Sequence, residues 1–442
     1  MADLKRKFYD QLVQWKATKH QECLLIKGAR QIGKTFIVEK FGREQYDSFI
    51  EFNFALNPEA RLIFDGSLKA EDLYLKISAF DSTHALIPGR TLIFLDEIQE
   101  CPNARTALKS FALDGRYDVV ASGSLLGIKY KNKKKRENHT PRSIPVGYER
   151  QVIMHSLDFE EFLWAKGVTE DAIASLKRYY DKREIVPEAI NRRYSGLLKE
   201  YMIVGGMPAV VKAYVEAGDF GPVQMEQEKI LRSYIDDIHK YADTTDVPKI
   251  EACYKAIPRL LAKENRKFKY AEIEKSGSER KYISSVDWLC DASFASRAQN
   301  VSVMEIPVNA QVRDGWFKLY LSDIGLLSAL YGAETKKLLY SGKLIGNAKG
   351  GLYENLIAGM FERKGIALHY FKNIDGTREI EFVIERDGGI VPVEVKASNG
   401  ATISLNEALE CPNVPYGYKF VDGNIGVTGK KITLPHYMAM FI

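Results

Sequence analysis

The sequence predicts an α/β protein in several parts: a parallel-sheet domain, a helical middle that ends in a winged-helix pattern, and a second, smaller α/β domain. Three observations carry this. Up to about residue 145, apolar strand-like runs at 24–27, 49–54, 91–96 and 117–122 alternate with helical stretches, the pattern of a parallel sheet covered by helices. From 146 to about 331 apolar residues recur mostly at helical spacing. In the last hundred or so residues strand-like runs return, separated by Asp-Gly turns. At 442 residues the chain is too long for one ordinary core. The expected units are 1–145, 146–245 as a helical connector, 246–335 as the winged-helix part, and 336–442.

The first strand runs into Gly28-Ala29-Arg30-Gln31-Ile32-Gly33-Lys34-Thr35, and a helical run at 35–40 leads out. This segment fits the phosphate-loop pattern G-x-x-x-x-G-K-[ST] at every fixed position. Between a strand and a helix, its backbone N–H groups can close around phosphate oxygens, helped by the positive end of the helix. Lys34 is then expected on the β/γ-phosphates and the Thr35 hydroxyl on Mg²⁺. The implied ligands are a nucleoside triphosphate and magnesium. No N-K-x-D guanine reader is present, since Asn132-Lys133 is followed by Lys134-Lys135, so ATP is the expected nucleotide.

The run Thr91-Leu92-Ile93-Phe94-Leu95 is continuously apolar, as for a central strand covered on both faces. It ends in Asp96-Glu97. At the carboxyl end of a parallel strand this pair falls where ligands bind in open α/β sheets. Asp96 is the candidate metal-side acid and Glu97 the candidate that polarises the attacking water. The next strand ends in Ser122-Gly123-Ser124. Ser122 is a candidate γ-phosphate sensor, with a plain Gly/Ser loop as the alternative. Arg116, Arg142 and Arg150 are the candidates for an arginine finger.

Net charge is +5, and it is concentrated: from Lys129 to Arg142 there are seven basic residues and one acidic. Two readings stand, a solvated loop and a loop that touches nucleic acid phosphate.

In the middle, Asp158 is a plausible helix N-cap with Glu161 three residues on. Gly205-Gly206-Met207-Pro208 breaks the helices, and 226–241 is amphipathic. Helices at 250–263, 270–275 and 282–292 followed by strands at 301–306 and 317–320 make the winged-helix pattern. At the end a helix covers 352–361 and strands cover 367–371, 379–385 and 390–396, with turns at Asp375-Gly376 and Asp387-Gly388-Gly389.

Alternation along the last strand puts Glu394 and Lys396 on one face. Glu381 points away from Ile380 and Phe382, and Glu354 lies on the helix upstream. These four could bind Mg²⁺ and activate water for phosphodiester cleavage, or form the polar face of a sheet.

Hydrophobic content of 45% and charged content of 27% describe a globular protein. The apolar runs fall short of a membrane span and no signal core follows Met1, so a cytoplasmic protein without a membrane partner is expected. Five scattered cysteines with no C-x-x-C pair argue against a disulfide framework and a cysteine zinc site.

Together, the phosphate loop, the strand 92–97, Ser122-Gly123-Ser124, the stretch from Ser156 to Phe162 and the stretch from Lys318 to Leu327 resemble a large bacterial and archaeal family of AAA-type P-loop ATPases that ends in a domain of unknown function. That tail resembles the PD-(D/E)xK nuclease core. Its three motifs are matched in order by Gly351-Leu352-Tyr353-Glu354-Asn355-Leu356, Arg378-Glu379-Ile380-Glu381-Phe382-Val383 and Val393-Glu394-Val395-Lys396. The resemblance implies a nuclease-like site of Glu354, Glu381, Glu394 and Lys396. One departure is that the middle acid, usually Asp, is Glu381, whose extra methylene shifts its oxygens. Three functions follow as expectations: an Mg-dependent ATPase controlling its C-terminal parts, an ATP-gated metal nuclease, and an ATP switch with an inert binding module. The expected macromolecular partner is DNA or a protein, with DNA reached through the winged helix, the basic loop or the C-terminal domain. A homo-oligomer is implied by the ring-forming habit of AAA-type relatives.

Overall fold

A computed structural model describes residues 4–18, 22–124, 147–397, 400 and 402–442. The basic stretch from Lys129 to Arg142 lies outside the described residues, as does the arginine-finger candidate Arg142.

The first layer is a helix α1 (Lys7–Ala17) followed by β1 (Cys23–Gly28), α2 (Lys34–Gln45), β2 (Ser48–Asn53), α3 (Ala70–Phe80), β3 (Thr91–Asp96), α4 (Pro102–Asp114), β4 (Asp118–Ser124) and β5 (Glu149–Ile153). The strands form one sheet in the order β2-β3-β4-β1-β5, with every pairing parallel. All six residues of β3 are buried, as its unbroken apolar run requires. β5 escapes the sequence reading because it is an edge strand, half-exposed and polar, with no apolar run to mark it. It carries the sheet to Ile153. In this topology β1, β3 and β4 all end at the same edge of the sheet, the edge that carries Gly28, Asp96 and Ser124.

Helices α5 (Phe159–Ala165), α6 (Glu170–Lys182), α7 (Glu188–Val204), α8 (Pro208–Ala217) and α9 (Val223–Tyr241) follow. Asp158 caps α5 with a full capping box, its carboxylate accepting from Glu161 N and the Glu161 carboxylate accepting from Asp158 N.

Next come α10 (Val247–Leu261), α11 (Glu279–Asp291) and an antiparallel hairpin of β6 (Ala295–Val301) and β7 (Val312–Leu321). The second helix expected at 270–275 is only a 3-10 turn, Tyr270–Glu272, and the first wing strand ends rather than begins at Val301. Phe268 explains the lost helix. Its N–H donates to Phe317 O and its ring stacks on Phe317, so the segment runs extended along β7.

The chain ends with α12 (Ile324–Tyr331), α13 (Ala333–Tyr340), α14 (Asn347–Arg363), β8 (His369–Lys372), β9 (Glu379–Ile380), β10 (Phe382–Arg386), β11 (Gly389–Val395), α15 (Ile403–Leu409), β12 (Gly417–Val421), β13 (Gly426–Thr428) and β14 (Lys431–Pro435). The strand expected over 379–385 is split at Glu381. β9 pairs with β8 in a sheet ordered β7-β6-β8-β9, while β10 pairs with β11 in a mixed sheet ordered β10-β11-β12-β14-β13. Ile380 and Phe382 are drawn into different cores, which sends the chain from one sheet to the next. The hairpin is therefore hydrogen-bonded to the C-terminal strands through β6 and β8.

Three motifs far apart in sequence meet at Asp323. Its Oδ2 accepts from Gly206 N (2.8 Å) and Ser156 Oγ (3.0 Å), while Oδ1 accepts from Gly325 N (2.9 Å) and caps α12. Arg363 Nη2 donates to Ser156 Oγ at 2.8 Å. A Cβ on Gly206 would lie 2.0 Å from Leu157 O, so only glycine fits there. Asp323→Ala would strand the buried Gly206 N–H and remove the cap. We expect a loss of about 3 kcal/mol, read as a lower urea midpoint with an unchanged slope.

Candidate functional site

The phosphate loop is shaped by its own backbone and braced by Arg6, the residue before α1. Gln31 (φ 63°) and Gly33 (φ 89°) are both left-handed, which bends the loop between β1 and α2. A Cβ on Gly28 would lie 2.4 Å from Met154 O. From behind, Arg6 Nη1 donates to Ile32 O at 3.0 Å and Nη2 to His155 O at 2.6 Å, while Nε pairs with Glu161 at 3.1 Å. The side chains of Arg30 and Gln31 turn toward α9, where they meet Asp237 and Ser233.

Lys34 is buried, and its Nζ donates to Ala29 O (2.8 Å) and Gly28 O (3.2 Å). Burial lowers its pKa to about 8, opposed by Glu97 and Asp96. A triphosphate favours the charged amine, so binding above pH 8 requires proton uptake. ATP affinity should fall by about tenfold per pH unit as pH rises from 8 toward 10, measured by titration calorimetry.

Asp96 is the hub of the carboxyl edge. Its Oδ2 accepts from Thr35 Oγ1 (2.9 Å) and Asn53 Nδ2 (2.8 Å), and its Oδ1 from Ser122 Oγ. Thr35, Asp96 and Ser122 thus converge at one point of the edge. Ser122 holds the acid directly. Asn53 was not singled out by sequence reasoning. The available signal is that it ends β2 in register with Asp96. Glu97 sits next to this hub at φ 52°, a strained backbone for a non-glycine residue, and accepts a hydrogen bond from Gln99. Thr35 and Asp96 offer adjacent hard oxygen donors beside the phosphate loop, the chemistry that suits Mg²⁺.

Arg116 and Arg150 do not reach this edge. Arg116 precedes β4 and pairs with Asp114 at 2.8 Å, and Arg150 lies opposite Leu24 at the start of β1. Both stand at the amino-terminal ends of β4 and β5, which run parallel to β1, and so lie at the edge opposite the phosphate loop; neither serves as an arginine finger within its own chain.

Beside the loop lies a cleft of about 530 Å³, lined among others by Gly33, Phe36, Ile37, Pro208 and Lys212. Phe36 follows Thr35 on α2 and is more than half exposed.

The four C-terminal candidates are not one ligand set. Glu354 is buried and saturated: Lys318 Nζ donates to Oε1 (2.6 Å) and Arg266 Nη1 to Oε2 (2.7 Å), while Tyr320 OH also donates to Oε1. Glu381, Glu394 and Lys396 instead share a cavity of about 300 Å³ with Arg266, Arg378 and Glu379. Lys396 Nζ lies 2.7 Å from Glu394 and 3.8 Å from Glu381, so an ammonium stands between the two carboxylates. Burial raises the Glu381 carboxyl to about 7 against the pull of Lys396. Glu394 Oε2 is buried without a hydrogen-bond partner. Among the described residues no cluster of three or more His, Cys, Asp or Glu side chains is arranged to hold a metal ion. Of the four candidates, Glu354 alone has its oxygens engaged by three donors, Lys318, Arg266 and Tyr320.

Among the described residues, no helix is long and apolar enough to cross a membrane. Residues 20–163 match a family described as an AAA domain, residues 195–337 match a domain of unknown function (DUF8612), and residues 349–433 match another (DUF4143). No curated protein matches the chain. Among solved structures, the Walker-type ATPase Paby2304 of Pyrococcus abyssi is similar over 74% of this chain and 96% of its own, at 14% identity and a TM-score of 0.42. AMPPCP-bound DnaA from Aquifex aeolicus is similar over 66% and 89%, at 12% and 0.30. The Orc1 protein of Aeropyrum pernix, solved in complex with DNA, is similar over 77% and 93%, at 14% and 0.27. The family matches and the sheets together give an N-terminal AAA-type P-loop domain, then a helical middle and a mixed-sheet α/β domain of unknown function.

Proposed function

We propose that the N-terminal domain hydrolyses ATP and that its nucleotide state governs the C-terminal region. The observation that carries this is the contact of Thr35 Oγ1 with Asp96 Oδ2 at 2.9 Å, directly beside the Lys34 amine and Glu97. In this reading the backbone from Gly28 to Gly33 and Lys34 bind the phosphates. Thr35 and Asp96 would hold Mg²⁺, which supplies charge neutralisation on the phosphate oxygens. Glu97 accepts a proton from the attacking water, and Asn53 and Ser122 fix the orientation of Asp96. The cleft at Phe36 and Pro208 opens from Gly33 and offers an aromatic ring and a proline ring to a purine base. Phosphate release with MgATP and MgGTP tests the assignment. Turnover of ATP that stops on chelation is expected, and no turnover of either nucleotide would refute it.

For the C-terminal cavity a binding role is better supported than cleavage, because Lys396 stands between Glu381 and Glu394 and Glu354 is engaged elsewhere. DNA is the proposed partner. We expect salt-sensitive DNA binding without strand cleavage in Mg²⁺ or Mn²⁺. Cleavage that disappears in Lys396→Ala would restore the nuclease reading.

A further inference from the structure

Arg30 and Gln31 fill variable positions of the phosphate loop, so the loop pattern gives their side chains no task. Both are held by α9. Arg30 Nη1 lies 2.9 Å from Asp237 Oδ1, and Gln31 Nε2 donates to Ser233 Oγ at 3.1 Å. Ser233 and Asp237 are four residues apart, on one face of the helix. Asp237 is only 1% exposed. Its Oδ1 meets Arg30 without the angle of a hydrogen bond, so the contact is one of charge. Burial raises the Asp237 carboxyl to about 6 against the pull of Arg30 and Lys240, and Glu97 adds to the rise. Asp237 in turn is among the groups that act on Lys34. A buried carboxylate thus shares the space around the loop with the two residues expected to work on a triphosphate.

We propose that Arg30 and Asp237 form a nucleotide-sensitive latch: Asp237 holds Arg30 against α9, and a bound triphosphate takes Arg30 for its own oxygens and releases α9. This rests on the ATP reading above. Asp237 draws the Arg30 guanidinium toward α9 through Nη1, and a polyphosphate carries more negative charge than a single carboxylate, so it competes for the same group. Asp237, left beside the phosphates and Glu97, is then repelled. Lys240, three residues on, lies 4.0 Å from Glu100 and so is itself directed to the loop edge behind Glu97.

The released helix touches the rest of the molecule. Tyr234, one turn from Asp237, stacks on Phe294 with ring centroids 4.0 Å apart and planes within 2°. Phe294 directly precedes β6, whose partner β7 carries the Lys318 that holds Glu354. A change at Arg30 therefore reaches the C-terminal sheets through packed side chains rather than through a linker. Asp237 acts here as a positioning residue.

Linkage makes the latch testable on binding alone: if ATP opens it, opening it must favour ATP by the same factor. The affinity of full-length protein for MgATP is measured for wild type, Asp237→Asn, Ser233→Ala, Arg30→Ala and the Arg30→Ala/Asp237→Asn double variant. Asp237→Asn should bind MgATP roughly fivefold or more tightly, with KM falling and kcat little changed. Ser233→Ala should move the same way by less, and it keeps the test alive if Asp237→Asn does not fold. Arg30→Ala should bind more weakly, and in the double variant the Asp237 effect should vanish. Wild type that binds ATP, with Asp237→Asn or Ser233→Ala binding equally or less tightly, would overturn the latch alone. Wild type that binds no ATP would overturn the nucleotide reading and the latch with it.

Discussion

Glu97→Gln should bind MgATP as tightly as the wild type and turn it over about 10²–10⁴-fold more slowly, while Lys34→Ala should lose binding. The two effects separate because the side chains act at different stages. Lys34 is buried behind the loop and bonded to the carbonyls of Gly28 and Ala29, in place to meet a phosphate before any chemistry. Glu97 lies outside the hydrogen-bonded hub of Thr35, Asn53, Asp96 and Ser122, and its carboxylate accepts from nearby Gln99. Gln keeps that bond and the size of the side chain but cannot take a proton. Filter binding of labelled ATP, with phosphate release in parallel, checks both variants. Normal hydrolysis by Glu97→Gln would remove Glu97 from the mechanism and leave Asp96 as the acid to examine.

The parts legible in the sequence are those whose geometry is compressed into a few residues. Eight consecutive residues define the phosphate loop, and an apolar strand delivers Asp96 to its side, so spacing alone implies a contact. The capping box at Asp158 and Glu161 is legible for the same reason. What was not legible depends on register between distant segments. Asn53 reaches Asp96 only because β2 and β3 are paired in parallel with those residues opposite each other. Arg30 and Asp237 meet only because α9 folds over the loop. β5 is polar because it is an edge strand, so it lacks the apolar run that betrays β3. The motif 379–385 reads as one strand because alternation says which way a side chain points and not which sheet receives it. Glu381 lies at the break between two sheets.

Glu354→Ala should cost the fold about 3–5 kcal/mol, an effect that a purely catalytic carboxylate would not produce. Lys318 and Glu354 are each 1% exposed, and Arg266, which lines the cavity, covers Glu354 from that side. Burial alone would raise the Glu354 carboxyl, but Lys318 and Arg266 outweigh it and hold the group below the ordinary glutamate range. Removing the carboxylate leaves Lys318 to Glu379 alone, at 2.7 Å, and leaves Arg266 and the Tyr320 hydroxyl without that acceptor. The sign with pH follows from the lowered carboxyl. Its stabilising share is complete above the unfolded value of 4.5 and is lost as pH falls below that. Urea midpoints of wild type and Glu354→Gln should therefore differ at pH 7 and draw together in acid. Equal midpoints at pH 7, with DNA cleavage abolished in the variant, would make Glu354 a catalytic group and overturn the structural role. The distinction matters for the whole chain, because β7 carries Lys318 while α14 carries Glu354. If the pair is structural, it joins Lys318–Glu379 as a charge contact that binds the hairpin to the C-terminal domain, and the sheet that α9 reaches through Tyr234 and Phe294 moves with that domain as one piece.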